Sequence, residues 1–263
     1  MTGTRESVQG FRADVTDGVL RITFVRPERM NALDLASMSA LGDLLTGRAA
    51  ERDVRVVVVS GEGGAFCTGA DLMAASDGPE ADPRTVMEAA NRVVRAILAL
   101  PVPVVAQVDG PAAGVGASIA IAADLAFAAP KAYFLLAFVN VGLMPDGGSS
   151  LLVPAAVGRA RASEMALLGT RLGAEDAAAA GLIARVLPAD DLAAHVDAVA
   201  ARLAAGPRRA IELTKRSLTA ATLARIDEAL EFETDGQAEL LAADDFREGV
   251  AAMLGRRRPV FGS

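Results

Sequence analysis

Hydrophobic and polar residues along this chain follow two periods, and the change from one to the other marks most of the elements. Residues 18–25 (GVLRITFV) alternate and are rich in β-branched side chains, which predicts a strand. Residues 54–60 (VRVVVVS) carry an almost unbroken valine run, the pattern of a strand covered on both faces, and residues 103–108 (PVVAQV) repeat it. Shorter strands are expected at 124–129 and 182–187. Between them the pattern is helical at about 34–49, 84–99, 114–123, 147–156 and 160–168. Strands alternating with helices predict an α/β core.

The character changes after about residue 190. Helices are expected at about 190–205, 207–219, 224–242 and 244–254. Gly206-Pro207 marks one boundary, since proline is tolerated in a first helical turn. Asp244-Asp245 stands where a cap for the last helix is wanted. The expected organisation is an α/β core over residues 1–200 and a helical region over 201–263.

Composition narrows this picture. The 263 residues are 52% hydrophobic and 22% charged, which is globular, and at 4% aromatic with no tryptophan the core must be aliphatic. A net charge of -7 argues against nucleic acid as a partner. The single cysteine, Cys67, permits no intramolecular disulfide and fits a reducing cytoplasm. The first residues, Met1 to Glu6, carry no apolar signal core. The longest apolar stretch, Gly110 to Ala123, breaks at Asp124, short of the roughly 18 residues a membrane span needs, and reads as buried core. A cytoplasmic protein with no membrane partner is expected.

Candidate chemistry lies in glycine-containing segments that follow strands. The first is Gly61 to Leu72 (GEGGAFCTGADL), the second Asp109 to Ser118 (DGPAAGVGAS), the third Gly142 to Ser150 (GLMPDGGSS). Small residues where a strand yields to a helix let a ligand approach the backbone, and helix N-termini expose N–H groups that favour negative charge. None carries the Gly-Lys-Ser/Thr of a phosphate-binding loop, and Gly114-Val115-Gly116 lacks the third glycine of a dinucleotide fingerprint. Taken singly, each segment is also compatible with an ordinary turn.

Together, and with two further segments, they resemble the crotonase (enoyl-CoA hydratase/isomerase) family over nearly the whole chain. Arg26-Pro27-Glu28-Arg29-Met30-Asn31-Ala32-Leu33 looks like that family's first CoA-binding segment. Ala65 to Leu72 and Gly110 to Asp124 are similar to its two oxyanion segments. Asp244 to Gly249, followed by Arg256 to Phe261, resembles its C-terminal signature. The resemblance implies an α/β fold built as a spiral of ββα units, with a C-terminal helical region that packs around a homotrimer, often paired into a hexamer. It implies an acyl-CoA thioester as substrate, with coenzyme A entering only as part of it, and no separate cofactor or metal. By the same resemblance, the Ala70 and Val115 amides form an oxyanion hole, and the backbone of Arg29, Ala32, Thr68, Asp71 and Leu72 lines the CoA site. For Asp71 a structural cap is the competing role. The run Arg256-Arg257-Arg258 is either a solvated terminus or a reach towards CoA phosphates, across a subunit boundary in an oligomer.

The sequence departs from the family's hydratases where their two glutamates belong. Those positions are Ser118 and Phe138, and neither is a carboxylate base. A carboxylate does stand in the third segment, at Asp146, the Pro-Asp/Glu-Gly context of family isomerases. One carboxylate suffices to shift a double bond from C3 to C2: it takes a proton from C2, the oxyanion hole holds the dienolate, and the same group protonates C4. Such a base needs an apolar pocket to raise its pKa, and Phe138 and Met144 are expected to help form it. The competing role for Asp146 is a cap on the following helix.

Other readings remain at this stage. A hydratase with a relocated base would draw on Asp77, Glu80 or Asp82 in the loop at 72–84. A non-catalytic acyl-CoA binder would keep the pocket without a working base. The family's dehalogenases, which need a tryptophan and a histidine near the ring, fit poorly, because the only histidine, His195, sits in an amphipathic stretch and reads as a surface residue. A Cys67 nucleophile lacks a histidine to activate it.

Overall fold

A computed structural model describes residues 5–8, 10–48, 51, 53–72 and 82–262, with the backbone alone at 5–8 and 48. A seven-stranded sheet runs in the order β1 (Arg5–Val8), β2 (Phe11–Thr16), β3 (Val19–Phe24), β4 (Val56–Gly61), β5 (Val104–Val108), β7 (Leu125–Ala128), β10 (Arg185–Val186). The first three strands pair antiparallel; from β3 to β10 every pairing is parallel. A second sheet joins β6 (Pro111–Ala113), β8 (Tyr133–Leu135) and β9 (Leu172–Gly173).

The valine run explains how the first sheet is covered. Val57 and Val59 face one core, together with Phe11, Ile22, Leu41, Val93 and Ile97. Val56 and Val58 face a second cluster made with Val105, Phe127, Leu192 and Val196. Alternate residues of a strand point to opposite faces, so an unbroken apolar run needs a layer on each side. The first layer includes α1 (Leu35–Arg48) and α2 (Pro83–Ala99); the second is α6 (Ala189–Ala204). His195 of α6 is half-buried, edge-on against Phe127 with ring centroids 4.8 Å apart, rather than the surface residue expected from sequence.

Helix α3 (Val115–Ala122) follows β6 and is nearly all buried, as the apolar stretch requires. The helical stretches expected at 147–156 and 160–168 are the two arms of α4 (Ser149–Leu168), which meet at a non-helical kink at Gly158, where φ is 76° and ψ 163°. A short α5 (Ala174–Ala179) follows. The C-terminal helices are α7 (Arg208–Thr222), α8 (Ile226–Leu241) and α9 (Asp244–Leu254). Asp244 and Asp245 lie inside the first turn of α9, with Ala243 in the cap position, so they do not cap it; Asp244 pairs with Arg247 instead.

These helices are bound to the α/β body by polar contacts as well as apolar ones. Lys215 of α7 is buried, and its Nζ donates to the carbonyls of Ile97 (2.8 Å) and Val102 (3.1 Å) and pairs with Asp124 (2.8 Å). Asn91 of α2 donates to Thr234 Oγ1 of α8 at 2.8 Å. Gly249 of α9 passes so close to a 3-10 turn at Ala137–Val141 that a Cβ there would lie 2.5 Å from Val141 Cα. Arg257 of the basic run is held by Glu248, with Nη2 to Oε2 at 2.7 Å. Among the described residues, no helix is long and apolar enough to cross a membrane.

Candidate functional site

Four turns meet at the end of the parallel strands, where open α/β sheets place their ligands. The first leaves β3 at Arg26, makes a 3-10 turn over Pro27–Arg29, and passes through Met30 (φ 49°) and Asn31 (φ 59°) in left-handed conformation. Asparagine tolerates that region because its amide bonds locally. Asn31 Oδ1 accepts from Arg26 N–H at 2.9 Å, while Nδ2 donates to the carbonyls of Glu62 and Ala65, both at 2.9 Å. The buried amide thus fastens the first turn to the second, a role sequence reasoning did not assign.

The second turn, Ala65 to Leu72, bridges the first at Leu33. The Leu33 N–H donates to Gly69 O (2.8 Å), and the Asp71 N–H donates to Leu33 O (2.9 Å). In a parallel bridge of this kind the intervening residue, Ala70, directs its own N–H elsewhere. It bonds to nothing among the described residues, and neither does the N–H of Val115, the first residue of α3. These two open amides are neighbours. Each follows a glycine with positive φ, Gly69 at 97° and Gly114 at 53°. A Cβ on Gly69 would come within 3.0 Å of Ala113 O and 3.4 Å of Gly114 Cα. A larger residue there would push the two turns apart.

The remaining residues expected to line the site lie on these same first two turns. Ala32 is buried; Arg29 is exposed on the 3-10 turn; Leu72 is half-buried. The Thr68 N–H and Oγ1 both donate to Met30 O, at 3.2 Å each. Asp71 is a buried ion-pair partner: its Oδ2 lies 2.7 Å from Arg26 Nη2, and Arg26 also donates to Ala32 O at 3.1 Å. The hydratase-like candidates Asp77 and Glu80 lie outside the described residues. Asp82 precedes α2 and accepts from Thr85 Oγ1 at 3.2 Å.

The third turn, Gly110 to Gly114, leads into α3, and Asp146 enters from the fourth, Gly142 to Gly148. A Cβ on its neighbour Gly147 would lie 3.0 Å from Ser118 Oγ and 3.6 Å from Val115 Cγ2, so this turn rests on the first turns of α3. Ser118 Oγ donates to the Asp146 carbonyl at 3.0 Å; its hydroxyl holds backbone. Phe138 is buried and its ring stands beside Gly114, where a Cβ would meet Cζ at 3.9 Å.

The Asp146 side chain is not a helix cap. Its Oδ2 accepts from Gln237 Nε2 at 2.7 Å, and its buried Oδ1 has no partner. The N-terminus of α4 is served instead by Glu233, whose carboxylate accepts from the N–H groups of Gly148 (2.7 Å) and Ser150 (2.9 Å). Burial pushes the Asp146 carboxyl up from 3.8 to about 7; the Gln237 hydrogen bond pulls it down, and the negative Glu233 adds to the rise. Desolvation outweighs the hydrogen bond, as expected for an acid with one donor in an apolar site. Burial also raises Glu233, against its backbone donors. Neither Glu233 nor Gln237 stands in a glycine segment, and their spacing, i and i+4 on α8, was the one available signal.

Independent comparison places the chain in a family. The model of the enoyl-CoA hydratase/isomerase family matches residues 14–263. The chain belongs to that family. A probable enoyl-CoA hydratase of Rhodobacter capsulatus is 41% identical, over 97% of this chain and 98% of its own. The 1,2-epoxyphenylacetyl-CoA isomerase of Escherichia coli is 38% identical, over 94% and 96%. The crystal structure of an enoyl-CoA hydratase from Mycobacterium avium subsp. paratuberculosis superposes with a TM-score of 0.91 at 46% identity, covering 98% of this chain and all of that one. The crotonase-like α/β fold expected from sequence is therefore the fold observed.

Proposed function

We propose that this enzyme isomerises 3-enoyl-CoA thioesters to 2-enoyl-CoA thioesters, with Asp146 as the proton shuttle. The observation that carries the reading is the Asp146 carboxylate: buried, one oxygen unpaired, and raised to about 7. A base poised near neutrality is ionised often enough to accept a proton and basic enough to take one from carbon. Removal from carbon also demands immediate stabilisation of the enolate oxygen. The Ala70 and Val115 amides fill that role as the oxyanion hole, each worth about 3 kcal/mol in the transition state. The backbone from Arg29 to Ala32 and from Thr68 to Leu72 holds the CoA moiety.

Hydration would need a second acid–base group. Ser118 is committed to the Asp146 carbonyl, Phe138 is apolar, and both oxygens of Glu233 are taken by backbone N–H groups. The similarity to a protein named 1,2-epoxyphenylacetyl-CoA isomerase supports an isomerase reading. The functional assembly in this reading is a homotrimer or a dimer of trimers, sealed through the exposed apolar residues of α4 and the C-terminal helices.

Asp146→Asn is the test, because asparagine keeps an acceptor for Gln237 and cannot take a proton. Turnover of 3-enoyl-CoA should fall by about 10²–10⁴-fold with CoA affinity retained. Near wild-type isomerisation by the variant would end the reading, as would efficient hydration of 2-enoyl-CoA without isomerisation by the wild type.

A further inference from the structure

The feature that the proposed chemistry does not by itself explain is the asymmetry of Asp146. One carboxylate oxygen is bonded and the other is not, and the difference is imposed from α8. Gln237 is buried and its amide is held at both ends. Its Oε1 accepts from the Met144 N–H at 3.2 Å, and its Nε2 donates to Asp146 Oδ2 at 2.7 Å. The Met144 N–H can only donate, so the amide oxygen must face it and the NH2 must face the carboxylate. A flipped amide would lose both bonds.

This has a consequence for where a proton can sit. Oδ2 already faces an N–H that cannot turn away. A proton on Oδ2 would meet that N–H head-on. A protonated Asp146 therefore carries its hydrogen on Oδ1, the oxygen with no partner among the described residues. We propose that Gln237 is a positioning residue that designates Oδ1 of Asp146 as the oxygen that takes and returns the proton, an inference that rests on Asp146 being the base. In the forward step the C2–H bond breaks, the O–H bond forms at Oδ1, and the electron pair enters the thioester as a dienolate. In the return step the Oδ1–H bond breaks as the C4–H bond forms. No proton needs to cross from one carboxylate oxygen to the other between the two steps.

The charged group that faces Asp146 from α8 is Glu233, one helical turn before Gln237. From α3 the wall is Val115 and Ser118, neither of which titrates in this range. Loss of the Gln237 donor therefore leaves Asp146 with burial and Glu233 alone, both of which disfavour the carboxylate.

The experiment compares the pH dependence of kcat and KM for 3-enoyl-CoA in the wild type, Gln237→Leu, Gln237→Glu and Asp146→Asn, with thermal melting of each. The Leu variant should show its acid limb moved up by about one pH unit, with about a tenfold loss of kcat below the limb and KM little changed. The Glu variant separates donor chemistry from packing. A neutral glutamic acid still donates through its hydroxyl, and an ionised one cannot. Activity should survive on the acid side and fall on the alkaline side, giving a bell where the wild type has a plateau. If the Leu variant does not fold, the Glu profile alone decides. Losses equal at every pH, or limbs that stay at the wild-type position, overturn the positioning role while an inactive Asp146→Asn leaves the base standing. An active Asp146→Asn overturns the base itself.

Discussion

At the scale of single residues, the structure separates positions whose chemistry was legible from those whose surroundings decide it. Asp146 was legible as a carboxylate in a Pro-Asp-Gly turn, but its choice between capping and proton transfer depended on Gln237, 91 positions away, and on Glu233, 85 positions from the Gly148 N–H that it holds. A capping aspartate would bond the N–H groups of α4; Glu233 bonds them instead, which leaves Asp146 for other work. The burial of Asp146 carries a stability cost with a definite sign. Its folded pKa lies near 7 and its ordinary value is 3.8, so the folded state binds a proton that the unfolded state has lost between those values. Stability from this group is present below pH 4 and declines as the pH rises to 7, by up to about 4 kcal/mol at 1.36 kcal/mol per pH unit. Asp146→Asn should therefore be the more stable protein at pH 8 and equal the wild type near pH 4. Urea denaturation at the two pH values checks this; a variant less stable than wild type at pH 8 contradicts it. A gain in stability with a loss of turnover is the usual signature of a site strained for function.

Among the secondary-structure elements, hydrophobic period located most of the long ones, because each has a single apolar face or a continuous run; the six-residue β2 was missed. Strands β3, β4 and β5 and the helices α1, α2, α3, α6 and α9 lie within two residues of their expected bounds. The short strands β6, β8 and β9, two or three residues each, carry no period at all and were not legible; they exist because neighbouring backbone completes them. The strand expected at 182–187 contracts to Arg185–Val186 for a similar reason, since Gly181 to Ala184 turn in from α5. Helix α8 was predicted as a helix, but that its Glu233 and Gln237 point inwards to the α4 turn could not be read from a stretch with acidic residues on several sides. Its contribution is testable. Glu233→Ala would strand two N–H groups at a buried helix N-terminus, and should cost about 2–5 kcal/mol in chemical denaturation. Turnover should fall with it as the turn bearing Asp146 relaxes. A destabilisation below about 1 kcal/mol would show that solvent replaces the carboxylate there.

Across the whole molecule, the division of the sequence near residue 200 describes pattern better than it describes contact. Lys215 reaches from α7 into the body, where three oxygens and a partner carboxylate among them compensate an otherwise prohibitive burial. Burial lowers its pKa and Asp124 opposes that. Lys215→Met should cost about 3–5 kcal/mol and lower the single unfolding transition rather than split it in two, as calorimetry can register. The helical region also leaves Phe232, Leu218, Met253 and Leu254 exposed, along with Leu167 and Leu168 of α4. Light scattering should give three or six times the 26.9 kDa of one chain; a monomer at micromolar concentration would refute the proposed assembly. The hold of α8 on Asp146 bears on how such enzymes diverge. Most of the turns that resemble the family's lie in the first 150 residues, yet in the proposed reaction the reactivity of Asp146 is set by two side chains on a late helix, Glu233 and Gln237. Relatives with the same turns can therefore acquire different reactions by substitutions at that distance, and a profile of the turns alone will group catalysts whose selectivities have already parted.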